Sequence, residues 1–156
     1  MIFKKISVDF HGVLNKAPEY FKAFMDYAKA QGFLVYVVSG GPRAAIIDFL
    51  RQHDVAYSSL WCVIDEPQIN EQTQFFADGS FRVDDYLWDK AKAEFCRDEE
   101  IGLHIDDSAV YGTYFSTGYC RYDHQAKIFS INDQTFPADL SPQELFAKLL
   151  PFYKSK

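Results

Sequence analysis

Short apolar runs alternate with amphipathic stretches along the chain, the order expected of a mostly parallel sheet with helices over its faces. Residues 6–10 read as the first strand. Residues 18–31 put Phe21, Phe24, Met25 and Ala28 on one side at helical spacing, with Pro18 suited to a first turn and Gly32 to a stop. A second strand follows at 33–38, and Ser39-Gly40-Gly41-Pro42 then opens a helix running to about His53 on an Ile46, Ile47 and Leu50 stripe. The third strand is 60–64. Periodicity is poor from Asp65 to Asp84, but Asp78-Gly79 between aromatic residues at 75–81 signals a small hairpin. Residues 84–97 form a helix with Leu87, Ala91 and Phe95 at i, i+4 and i+8, and 101–105 the fourth strand. Residues 119–122 and 127–131 suit strands at a sheet edge. Ser141-Pro142-Gln143-Glu144 is a capping-box start for a short helix that Pro151 follows. The pattern predicts one domain over 1–156, an α/β Rossmann-like three-layer sandwich with a mostly parallel sheet and a small hairpin insertion.

Composition changes this picture little. Hydrophobic residues are 48% and charged residues 24% of 156, enough for a packed core without disulfides or a structural metal. Sixteen Lys and Arg against 22 Asp and Glu leave a charge of −6, which argues against any broad grip on nucleic acid. Cys62, Cys96 and Cys120 are odd in number and widely spaced, and read as reduced thiols. Lys4 and Lys5 interrupt the apolar N-terminal stretch, and no apolar run approaches the ~18 residues of a membrane span. A cytoplasmic protein without a membrane partner is expected.

Ligands of open parallel sheets bind beyond the carboxyl ends of the strands. The residues there are Asp9 and His11 after the first strand, Ser39 and Gly40 after the second, and Asp106 and Asp107 after the fourth. Three converging carboxylates would repel unless a cation sat among them. Carboxylates, a backbone carbonyl and water are the hard oxygen ligands that suit Mg²⁺. Ser39, Gly40 and Gly41 precede a helix, so a hydroxyl and backbone N–H groups can meet an anion there. Lys90 supplies a cation, with Lys92 as the alternative, and phosphate chemistry is the leading inference. His104, inside a predicted strand, reads as a satisfied core histidine, whereas His53 and His124 read as surface residues.

Asp9-Phe10-His11-Gly12-Val13-Leu14, Ser39-Gly40, Asp89-Lys90 and Ile105-Asp106-Asp107-Ser108, in that order, resemble the four motifs of the haloacid dehalogenase (HAD) superfamily over residues 6–108. The resemblance implies a phosphatase-type hydrolase in which Asp9 attacks phosphorus and forms an aspartyl-phosphate that water then hydrolyses. It further implies Mg²⁺ held by Asp9, the His11 carbonyl and Asp107, with Asp106 a direct or indirect ligand. Ser39 and Gly40 would bind the phosphoryl group and Lys90 would offset its charge.

His11 stands where family phosphatases usually carry a second Asp that acts as acid and base. An imidazole can do this work near neutral pH. The substitution also motivates an alternative: a catalytically impaired relative that binds Mg²⁺ and a phosphorylated ligand or partner for regulation. A receiver-like phosphoacceptor domain fits less well, since its usual motif order is different. The short intervals between motifs imply a capless, open site for a bulky phosphorylated substrate, or one completed by a neighbouring copy in a homo-oligomer. Tyr111, Tyr114, Phe115, Tyr119 and Tyr122 either pack or stack on a base or sugar beside the site.

Overall fold

The computed structural model describes residues 3–154, so Met1 and Ile2 of the N-terminal stretch lie outside the described residues. In chain order the strands are β1 (Lys5–Val8), β2 (Leu34–Ser39), β3 (Ser59–Cys62), the short β4 (Gln74–Phe75) and β5 (Phe81–Arg82), β6 (Leu103–Asp106), β7 (Gly118–Asp123), β8 (Ile128–Ile131) and β9 (Gln134–Pro137). The α-helices are α1 (Pro18–Ala30), α2 (Arg43–Gln52), α3 (Pro67–Asn70), α4 (Asp85–Asp98), α5 (Ala109–Gly112) and α6 (Pro142–Leu149).

A seven-stranded sheet runs in the order β3-β2-β1-β6-β7-β8-β9, and β4 and β5 form a separate two-stranded hairpin. The first five strands of the sheet are parallel, and β8 and β9 continue it antiparallel. This is the mostly parallel α/β sandwich that the alternation predicts. The chain winds outward from β1 through β2 to β3, then crosses back to lay β6 on the other side of β1. That reversal opens a crevice beyond the carboxyl ends of β1 and β6, where such sheets bind ligands.

Strand alternation divides the core. Ile6, Val8, Val35, Val37, Leu103 and Ile105 face the buried sides of α1, α2 and α6, including Phe21, Phe24, Ile46, Leu50, Leu145 and Phe146. Tyr36 and Val38 face the other way, with Phe95 and Cys96 of α4. Fully burying a side chain such as Phe21 or Phe24 contributes about 1.5–3 kcal/mol. The aromatic-rich α1 face therefore supplies much of the apolar stabilisation, and the α4 face has room for polar groups. Ser7 and His104, which are register partners on β1 and β6, point to that second face and are fully buried.

Several boundaries differ from the expected ones for local reasons. β1 ends at Val8 rather than residue 10: Asp9 N still donates to Ile105 O (2.8 Å), but its side chain then accepts from Phe10 N and caps the turn Phe10–Leu14. Phe10 is buried in that turn, so its apolar character extends the strand pattern without extending the strand. β3 stops at Cys62 as residues 63–65 coil into a 3-10 turn. β9 is an additional strand, joined to β8 by a two-residue turn with Asn132 at φ 54°. At α6 the capping box between Ser141 and Glu144 is formed reciprocally. Among the described residues no helix is long and apolar enough to cross a membrane.

Candidate metal and phosphate site

Asp9 follows β1, Asp106 closes β6 and Asp107 follows it, and one carboxylate oxygen of each lies within 4.8 Å of the others. Asp9 and Asp106 are buried and Asp107 is exposed. Gly12 makes this approach possible: its φ is +89°, and a Cβ there would overlap the Asp107 carboxylate.

The lysine at the centre is Lys92, not Lys90. Lys92 Nζ donates to Asp9 Oδ1 (3.0 Å) and Asp106 Oδ2 (2.8 Å) from the buried side of α4. Two residues on a helix are about 200° apart, so Lys90 points away, toward Glu94 (3.4 Å) and over the Tyr86 ring (4.4 Å).

His104 is buried and satisfied as expected, yet it belongs to the site. Its Nε2 donates to Asp106 Oδ2 (2.8 Å) and its Nδ1 accepts from Ser7 Oγ (2.6 Å). Burial keeps the imidazole pKa low, against the pull of Asp106, so the ring is neutral and this tautomer suits both partners. Cys96 Sγ lies 3.7 Å from Ser7 Oγ, and burial pushes the thiol up to about 12, so it stays protonated and donates. Asp106 Oδ1 accepts from Ser108 N (3.2 Å).

Charge divides the three acids. Burial raises the Asp9 carboxyl well above its ordinary range, and Asp106 and Asp107 add to the rise while Lys92 opposes it. Burial would also raise Asp106, but Lys92 and His104 outweigh it and hold that group well below the usual range. Asp107 is raised by burial and by Asp106. Lys92 is held charged: Asp9 and Asp106 overcome the effect of burial. One ammonium thus faces three carboxylates of hard oxygen, with a cradle that only glycine leaves open. These residues could hold a metal ion, which would offset the excess negative charge.

Ser39 ends β2, is fully buried, and its Oγ has no hydrogen-bond partner. It lies behind the lining of the neighbouring cleft rather than on it. Gly40 and Gly41 line a cleft of about 350 Å³ together with Asp9, His11, Lys92 and Asp107. The helix after them begins only at Arg43. His11 is on the exposed rim, where Nε2–H donates to the Gly41 carbonyl (2.9 Å) and leaves Nδ1 open. The structure therefore brings together Asp9, His11, Gly40, Lys92, Asp106 and Asp107, and leaves Lys90 outside. Of the tyrosine-rich stretch only Tyr111 lines the cleft. Phe115 stacks on His104, Tyr119 packs beside them, and Tyr122 is a core residue.

No protein-family model matches the chain, and neither the curated proteins nor the solved structures contain a match.

Proposed function

We propose that the protein is a Mg²⁺-dependent phosphomonoester hydrolase of the capless HAD type, with Asp9 as nucleophile. The observation that carries this reading is the convergence of Asp9, Asp106 and Asp107 within 4.8 Å around a cleft in which Lys92 bridges two of them. Asp9, the His11 carbonyl and Asp107 would hold the metal, with Asp106 beside them, and the bound ion supplies charge neutralisation for a phosphoryl group. Lys92 and Phe10 N both donate to Asp9 Oδ1, which orients the carboxylate and leaves Oδ2 the freer oxygen. An Asp9 oxygen bonds to phosphorus as the ester P–O bond breaks, and the leaving oxygen takes a proton. Water then attacks the aspartyl-phosphate and releases phosphate. Ser39 Oγ–H donates to a phosphoryl oxygen, and Lys92 offsets the charge gathered beside Asp9. His104 fixes Asp106, and through it Lys92. His11 Nδ1 is the open nitrogen for the acid and base steps. The cytoplasm, rich in Mg²⁺ and reducing, suits the three buried unpaired cysteines.

A second reading, binding of Mg²⁺ and a phosphorylated ligand without turnover, is favoured by one observation: the imidazole in the acid/base position is tethered to the Gly41 carbonyl. Phosphate release from an aryl phosphate, with and without Mg²⁺, tests the hydrolase. Wild type should turn over only with the metal, and Asp9→Asn should be inactive. Binding without release by wild type across a substrate panel would leave the second reading in place. A pH–rate profile of His11→Ala unchanged from wild type would remove His11 from the chemistry.

A further inference from the structure

The cleft has an aromatic wall that the phosphate chemistry does not use. Trp88 lies over Gly40, next to Ser39, so closely that a Cβ at Gly40 would meet its Cζ2 at 2.5 Å. Trp88 Nε1–H donates to the Tyr111 hydroxyl (2.9 Å). Phe81 of β5 packs against Trp88, with ring centroids 5.4 Å apart, and Phe75 of β4 lies 6.3 Å from Phe81. The Tyr111 ring in turn lies 4.9 Å from Lys92 Nζ. Rings thus step outward from the ammonium on Asp9 to the hairpin, and Phe81, Trp88 and Tyr111 line the same cleft as Asp9.

Core packing accounts for only part of this wall. Phe81 and Trp88 are half-buried at the margin of the main core. Phe75 and Phe76 remain 56% and 44% exposed on a hairpin whose two strands have two residues each. Several phenylalanines on so small a surface element leave apolar faces that a flat ligand group would cover by offset stacking. The cleft volume, about 350 Å³, falls at the small end of ligand sites.

We infer that the site takes a phosphate ester whose alcohol half carries a planar aromatic ring, the phosphate lying at Asp9 and the ring against Phe81 and Trp88. This rests on the cleft being the phosphate-ester site proposed above. Adenosine 5′-monophosphate and ribose 5-phosphate share the same esterified carbon and differ in the ring, so their comparison isolates the wall. Calorimetric binding to the Asp9→Asn protein in Mg²⁺ should favour the nucleotide about ten- to a hundredfold, as ring stacking of this kind does. Phe81→Ala should bring the two within about twofold, while Phe81→Tyr, which keeps a ring, should retain the preference. Wild-type kcat/KM should show the same ratio.

Equal affinities, a preference that survives Phe81→Ala, or binding of neither compound overturns the inference. Phosphate release by wild type without ring preference overturns it and leaves the hydrolase reading intact. Ring-dependent binding with no release by wild type does the reverse.

Discussion

Replacing Lys92 by Met keeps most of the apolar stem and deletes the ammonium that lies 3.0 Å from Asp9 Oδ1 and 2.8 Å from Asp106 Oδ2. Those side chains are 3% and 0% exposed, so water cannot replace the lost charge. Removing one partner of a buried ion pair costs about 3–5 kcal/mol. For a chain of this length, about 2–4 °C of Tm per kcal/mol turns that into a fall of roughly 6–20 °C. Lys90→Met is the control on the same helix: its partner Glu94 is 3.4 Å away and the two side chains are 26% and 47% exposed. A solvated i,i+4 pair of this kind contributes about 0.3–0.5 kcal/mol, which is about 1–2 °C here. Scanning calorimetry at neutral pH in chelator measures both shifts. Saturating Mg²⁺ should then raise the Tm of Lys92→Met by more than it raises wild type, since a second cation becomes worth more once the first is gone. Equal shifts for the two variants, or a larger one for Lys90→Met, would refute the assignment of Lys92 as the counter-charge of the acidic cluster.

Asp9 carries a raised pKa in the metal-free protein. The stability this contributes is complete below the ordinary value of about 3.9 and is lost as pH rises through the folded value. Metal-free Asp9→Asn should therefore be more stable than wild type to urea at neutral pH and should lose that advantage near pH ~4; the opposite order at neutral pH would mean that the carboxylate is fully compensated. Gly12→Ala forces a side chain onto φ +89° and into the Asp107 carboxylate. It should cost more than about 1 kcal/mol and abolish the Mg²⁺-dependent rise in Tm, read by thermal shift with and without chelator. Ser39→Ala removes a buried hydroxyl that has no partner. Stability should be unchanged or higher by about 1 kcal/mol while affinity for inorganic phosphate falls, and a clear loss of stability would show that the hydroxyl serves packing alone.

The sites at strand ends were legible because an acid or a Ser-Gly directly after an apolar run marks where a parallel sheet releases its chain. That logic places Asp9, Ser39 and the Asp106-Asp107 pair without knowledge of pairing. The lysine is a different matter. Asp89-Lys90 fits the order of the motifs, yet Trp88, Lys92 and Cys96 at i, i+4 and i+8 define a face of α4 that turns toward the sheet, and this spacing was the signal that favoured Lys92. His104 and Asp106 alternate onto one face of β6, so their contact was half readable. Its other half needs the register that sets Ser7 opposite His104, which no local pattern contains. The seating of Trp88 on Gly40 joins residues far apart in the chain through the packing of α4, and nothing in either neighbourhood announces it. The extra strand β9 carries no apolar alternation, because its residues are mostly exposed.

Helix α4 presents Trp88 and Lys92 one turn apart to the same crevice. A rigid displacement of that helix would move the ammonium and the indole together, so a change that reshapes the ring wall through α4 also disturbs the electrostatics of Asp9. The β4–β5 hairpin has no such tie to the acidic cluster. Substitutions in the hairpin should therefore reshape the ring wall while the charge arrangement beneath stays in place.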